Sequence, residues 1–188
     1  LAAGGVRLVG YQLQANTEIF DGTSWTEVND LNTAGSGGAA GTTNATVMSA
    51  AIRGGNTEIW NGTNWSEVNN MIFTSYAAYG QFGSNNFYSQ RGYVAHFGHS
   101  QNSMVQMSTN TSPYRQTEEW NGTNWSTGPT SPADMREWGP GAGAGDSGLQ
   151  AGGAGGSPNA RQSSTRSITS LYNGVSWSEG NDMPQDEF

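Results

Sequence analysis

Gly145-Asp146-Ser147-Gly148 sets a serine beside an acid between two glycines, the residue types of a nucleophilic serine turn. Hydrolysis by such a serine also needs a histidine base, an orienting carboxylate and an oxyanion hole. The only histidines are His96 and His99, Asp134 has no distinguishing context, and Leu149 occupies the place where a further glycine belongs. A turn between two small-residue strands accounts for the same four residues. Gly143 to Gly148 also spells G-x-G-x-x-G, which signals a dinucleotide only between a strand and a helix. Nothing after it has helical period, and a chain without lysine has no Walker-type phosphate loop.

His96 and His99 are three residues apart, and on a strand ending at Phe97-Gly98 they face different directions. A metal needs more ligands on one side, and no carboxylate lies between Glu67 and Glu118. No catalytic, cofactor-binding or metal-ligating residue is therefore assigned, and no cofactor is expected. Asn44, Asn61, Asn64, Asn110, Asn121 and Asn124 each open an N-x-[ST] sequon, but four of these fall in a repeated phrase where turn chemistry already explains the residues.

The balance of charge points the same way. Fifteen acids stand against seven arginines, for a formal net charge of −8. Phosphate binding needs a clustered positive field, so nucleic acid is not an expected partner. No run of about 18 apolar residues is present, so no membrane insertion is expected. Without cysteine there is neither a disulfide framework nor a thiolate metal site. At 188 residues the chain has the length of one domain. With 34% hydrophobic residues and 28 glycines, its interior must be filled by small residues and by seven tryptophans.

The elements behind these residues are announced by a phrase written four times: TEIFDGTSWTEV from Thr17, TEIWNGTNWSEV from Thr57, TEEWNGTNWSTG from Thr117 and TSLYNGVSWSEG from Thr169. Each copy has an aromatic residue (Phe20, Trp60, Trp120, Tyr172), then Asp or Asn, then Gly22, Gly62, Gly122 or Gly174, and then Trp25, Trp65, Trp125 or Trp177. Asn-Gly between β-branched and aromatic runs predicts a tight hairpin with a type I′ turn. One hairpin cannot bury so much aromatic surface alone, so the hairpins must pack on one another, with the recurring tryptophans between units. Upstream of the phrase lie small-residue segments, Ala34 to Gly55 and Gly139 to Gly156, and the opening LAAGG reads as the tail of another. Each unit is thus expected to hold about four short strands.

A glycine pair, an aromatic about five residues before a tryptophan, and a polar stretch ending near Met or Leu resemble the kelch repeat. The resemblance implies an all-β fold, a kelch-like β-propeller or propeller segment of about four blades of four short antiparallel strands. It covers nearly the whole of a single repeat domain, 1–188: a partial blade over 1–31, blades over 32–71 and 72–128, and a blade plus C-terminal tail over 129–188. Trp-to-Trp spacings of 40, 60 and 52 residues suit blades that accept loop insertions better than a stricter solenoid. The Asn-Gly-Thr-Asn-Trp wording is similar to kelch-like arrays of marine bacteriophage virion proteins. It implies a non-enzymatic structural or attachment component of a larger assembly, a virion protein whose partners are other protein subunits. Galactose oxidase also has kelch-type blades, but its cysteine-linked tyrosine copper site has no counterpart in a chain without cysteine.

The third unit departs from the pattern. Its glycine pair becomes Gly98-His99, and it carries an insertion with Phe73, Tyr76, Tyr79, Phe82, Phe87, Tyr88, Tyr93 and Phe97. These unrepeated aromatics are the candidate contact surface, either for neighbouring subunits or, in an alternative lectin-like reading, for a host-surface glycan. The opening within a second strand leads to the further expectation that one strand of the first unit comes from elsewhere.

Overall fold

In the computed structural model the described residues are 1–7, 12–50, 55–72, 96–107, 116–132, 141–152, 154–155, 164–165 and 167–184. All regular structure among them is strand. The chain opens with β1 (Ala2–Ala3), β2 (Val6–Arg7), β3 (Gln12–Leu13), β4 (Thr17–Phe20) and β5 (Trp25–Val28). Next come β6 (Gly38–Thr42), β7 (Ala45–Ala50), β8 (Asn56–Trp60) and β9 (Trp65–Val68), then β10 (His96–Ser100), β11 (Ser103–Met107), β12 (Thr117–Trp120) and β13 (Trp125–Thr127). The last group is β14 (Gly141–Ala144), β15 (Ser147–Ala151), β16 (Ala154–Gly155), β17 (Ser164–Thr165), β18 (Thr169–Tyr172) and β19 (Trp177–Glu179).

These strands form an all-β fold of antiparallel sheets that follow one another in chain order. The first sheet is β1-β4-β5; the second, third and fourth are the four-stranded sheets β6-β7-β8-β9, β10-β11-β12-β13 and β14-β15-β18-β19. Two small ribbons, β2-β3 and β16-β17, interrupt the first and fourth sheets between the strand before the glycine corner and the strand after it. β1 pairs with β4 as β7 pairs with β8, so β1 holds the second-strand place in its sheet. The expectation of four short strands per unit is met in three sheets.

The hairpins form where the phrase predicts them, but the reversal falls one residue later than an Asn-Gly centre. Trp60 pairs with Trp65, and the Asn61 N–H donates to the Asn64 carbonyl at 3.2 Å, which places the reversal at Gly62-Thr63. Asn61 stands just before the reversal, where its Oδ1 accepts the N–H groups of Thr63 and Asn64, both at 2.9 Å. Gly62 has positive φ, at 94°. The side-chain acceptor replaces a backbone ladder bond, as in an Asx turn. Asp21 does the same for Thr23 and Ser24, and Asn121 and Asn173 do it in the other two copies.

Packing follows one rule. The face of each sheet that bears the aromatic pair lies on the opposite face of the sheet before it. Trp60, Trp65 and Met48 of the second sheet pack against Leu31, Ile19 and Val28 of the first. Trp120, Trp125 and Met104 of the third pack against Val47, Ile59 and Met71 around the second. Tyr172 and Trp177 of the fourth pack against Phe97 and Val105 of the third. The first strands β6, β10 and β14 also lie against one another, a close approach that needs glycine. A Cβ on Gly98 would stand 2.8 Å from the Ala40 Cβ, and one on Gly38 would stand 2.6 Å from the His96 ring.

Sheets covered on both faces lose the buried and exposed alternation of a half-solvated strand. Thr57, Glu58 and Trp60 in β8 are all buried, whereas in β4, with nearly the same residues, Glu18 and Phe20 are exposed. The neighbour, and not the strand's own sequence, makes that difference.

Candidate functional site

The residues of the repeated phrase converge on the joints between sheets. At the joint of the first and second sheets, Trp65 Nε1 donates to Thr17 Oγ1 at 2.9 Å; at the next, Trp125 Nε1 donates to Thr57 Oγ1 at 2.8 Å. Each tryptophan of the pair's other strand ties down a turn in its own sheet, Trp60 Nε1 to the Thr43 carbonyl at 3.0 Å and Trp120 Nε1 to the Gln101 carbonyl at 2.8 Å. A buried indole thus keeps a polar partner, as its N–H requires.

A buried carboxylate completes each of these two joints. Glu58 accepts the backbone N–H of Asn32 at 2.9 Å, the Asn32 amide at 2.9 Å and the Thr33 N–H at 2.8 Å. Glu118 accepts the Ile72 N–H at 2.6 Å. Each fixes the segment that leaves the preceding sheet, where Leu31 or Met71 plugs onto the aromatic pair. On the outside, Asn29 Nδ2 bridges to the Thr63 carbonyl at 3.0 Å and to Asn64 Oδ1 at 2.7 Å. Asn69 repeats this contact with Thr123 and Asn124.

The joint between the third and fourth sheets is built differently. Ser170 stands where Glu58 and Glu118 stand, Ser131 where Leu31 and Met71 stand, and Pro129 where Asn29 and Asn69 stand. Ser131 Oγ, Ser170 Oγ and Trp177 Nε1 are buried without a hydrogen-bond partner among the described residues. Thr117 Oγ1 instead donates to the Pro129 carbonyl at 2.6 Å. An aromatic cluster takes over: Phe97 meets Trp177 edge-on at 5.8 Å between centroids and lies 6.0 Å from Tyr172. The Tyr172 hydroxyl donates to Glu119 Oε1 at 2.5 Å. Burial first, and then that carboxylate, raise the Tyr172 pKa above the ordinary phenol value.

Trp65 and Trp125 are packing residues between sheets, and Trp177 is half-buried in the same role. Trp25 departs from expectation: it is 56% exposed, because no described sheet stands on its side. Phe97, grouped with the insertion aromatics, is a core residue at 4% exposure. Gly22, Gly62, Gly122 and Gly174 sit at the four reversals with positive φ. Phe73, Tyr76, Tyr79, Phe82, Phe87, Tyr88 and Tyr93 lie outside the described residues.

Ser147 is exposed on β15 and pairs with Ala144, with Gly145 and Asp146 forming the turn between them. The G-x-G-x-x-G segment is this same strand pair, β14 and β15. β10 runs past Gly98 to Ser100 with a bulge between those two residues, leaving His99 exposed and His96 half-buried. No cluster of three or more possible metal ligands occurs among the described residues, and no described helix is long and apolar enough to cross a membrane. Asn44, Asn61, Asn64, Asn121 and Asn124 are exposed, but Asn61 and Asn121 spend their side-chain oxygens on the turns.

Sequence reading missed the Thr-Glu half of the phrase. Thr17, Thr57, Glu58, Thr117 and Glu118 recur in register with the tryptophans, and Asn29 and Asn69 each follow a tryptophan by the same interval. That register was the available signal. The molecule is therefore an all-β protein of serially joined antiparallel sheets. No protein-family model matches the chain, and no curated protein matches it.

Proposed function

We propose that the chain is a non-enzymatic structural or attachment component of a larger assembly, a kelch-like β-propeller or propeller segment of a phage virion. The observation that carries the architectural half of this reading is the repeated joint. The indoles of Trp65 and Trp125, the hydroxyls of Thr17 and Thr57 and the buried carboxylates of Glu58 and Glu118 are consumed in fastening sheet to sheet. A scaffold that devotes its repeated residues to rigidity is suited to bearing contacts rather than to chemistry. The virion half rests on the likeness of the Asn-Gly-Thr-Asn-Trp wording to kelch-like phage arrays.

The test is immunogold labelling of particles sedimented from the source culture, with antibody raised against the purified chain. Label on intact particles is the expected result; label restricted to host-cell lysate overturns the reading. The lectin-like alternative is favoured by the aromatic density of the 73–93 insertion. It expects glycan-array binding that falls about tenfold or more in Tyr79→Ala or Tyr88→Ala with an unchanged melting temperature, and an array with no hits removes it.

A further inference from the structure

Among the described residues, the packing rule leaves one face without a neighbouring sheet at each end of the series. On the first sheet it is the face that bears the aromatic pair. Phe20 is 43% and Trp25 56% exposed there, with ring centroids 5.2 Å apart, while the matching pairs Trp60/Trp65 and Trp120/Trp125 are buried. On the fourth sheet it is the opposite face, where Leu149 and Leu171 are exposed. Leu149 pairs with Leu171 as Val47 pairs with Ile59, and Val47 and Ile59 are the residues on which the third sheet sits. These two ends are the two halves of the joint already formed inside the molecule.

We infer that the chain associates head to tail with a second copy of itself, the Leu149/Leu171 face of one copy receiving the Phe20/Trp25 face of the next. The inference rests on the reading of the chain as an assembly component and names its partner. The polar groups match as well. Thr169 is in the position of Thr17 and Thr57, the acceptors of Trp65 and Trp125, so Trp25 Nε1 has a hydroxyl to reach. Asn181 is in the position of Asn29 and Asn69, and the turn it would bridge offers the Thr23 carbonyl and the Ser24 hydroxyl. Met183 is in the position of Leu31 and Met71 and is only half-buried, with no aromatic pair above it among the described residues. One contact is lost: Pro184 has no N–H to give Glu18, where Asn32 and Ile72 give theirs to Glu58 and Glu118. An interface of this kind is heterologous and builds rings or filaments, not isologous dimers.

The experiment is sedimentation velocity on the purified chain across about a hundredfold range of concentration, with Trp25→Glu and Leu171→Glu as blocked copies. Both residues are exposed, so both variants are expected to keep the wild-type circular dichroism and melting temperature. Wild-type chain should shift to multiples of the monomer mass as concentration rises, and each variant alone should stay monomeric. An equimolar mixture of the two should give dimers and nothing larger, because one intact half remains on each partner. Monomeric wild-type chain throughout, or oligomers that persist in both variants, overturns the inference. If the chain is monomeric yet labels particles, the functional reading survives without this partner; if it polymerises and labels none, self-association stands and the virion reading falls.

Discussion

The joint between the second and third sheets and the joint between the third and fourth solve the same packing problem with different chemistry. The former places a buried indole on a threonine hydroxyl and a buried carboxylate on a backbone N–H. The latter has Ser170 in place of the carboxylate and Ser131 in place of Met71, leaves Ser131, Ser170 and Trp177 without polar partners among the described residues, and relies on Phe97, Tyr172 and Trp177. Backbone topology is the same on both sides, since the pairing Trp120 to Trp125 recurs as Tyr172 to Trp177. The antiparallel sheet thus tolerates a change of fastener, provided the apolar area between faces is kept. The cost falls on polar satisfaction, because a buried group without a partner forfeits its hydration.

Substitutions should separate the two joints. Trp65→Ala removes both an interior side chain and the donor to Thr17, and should cost about 3–5 kcal/mol. Trp177→Ala, from a half-buried indole without a polar partner among the described residues, should cost less by about 1 kcal/mol or more, the net value of a hydrogen bond. Equal losses in urea denaturation would mean that the two joints are energetically alike. Glu58→Ala strands the Asn32 and Thr33 N–H groups and should cost about 3 kcal/mol, at roughly 1–3 kcal/mol for each stranded donor.

Tyr172→Phe breaks the hydroxyl bond to Glu119 and should cost about 1.5 kcal/mol, the lower end for a bond to a charged group. Its pH signature is more specific. The unfolded phenol ionises near pH 10, while burial and Glu119 hold the folded one protonated to higher pH. The stabilisation is fully present below about pH 10 and is lost as pH rises beyond it. Wild-type melting temperature should therefore fall more steeply above pH 10 than that of Tyr172→Phe, and parallel curves would break the assignment.

Ser170→Ala should change stability by less than about 0.5 kcal/mol, or raise it, because the hydroxyl it deletes has no partner among the described residues. A large loss would reveal a hidden fastener at this joint. The smallest effect is expected at Asp21. The N–H groups of Ser24 and then Thr23 hold its exposed carboxyl below the ordinary value, so its contribution is present above about pH 4 and lost as pH falls. Asp21→Asn, the residue of the other three copies, should fold normally at pH 7 and remove that part of the acid-side slope.

Much of this was legible beforehand for a local reason. The Asn61-Gly62 and Asp21-Gly22 dipeptides mark hairpins through chain-local geometry, and the repeat puts Trp65 and Trp125 in one register. The reversal was misplaced by one residue because Asn61 also fits as a side-chain acceptor before the turn, and the sequence does not choose between that role and a place at its centre. The Glu58 and Glu118 sites were hidden because a glutamate in a strand is usually solvated; only the loop of the preceding sheet makes burial tolerable.

Sequence alone determined the all-β character, the four hairpins, the small-residue strands and the recurrence of an aromatic pair, since each follows from period, turn chemistry and side-chain size over a few residues. Tertiary structure decided which of those aromatic pairs is core. Phe20/Trp25 and Trp60/Trp65 sit in nearly the same words, yet one pair is exposed and the other buried. Burial belongs to whatever stands on a face, and a strand's own residues do not record its neighbour.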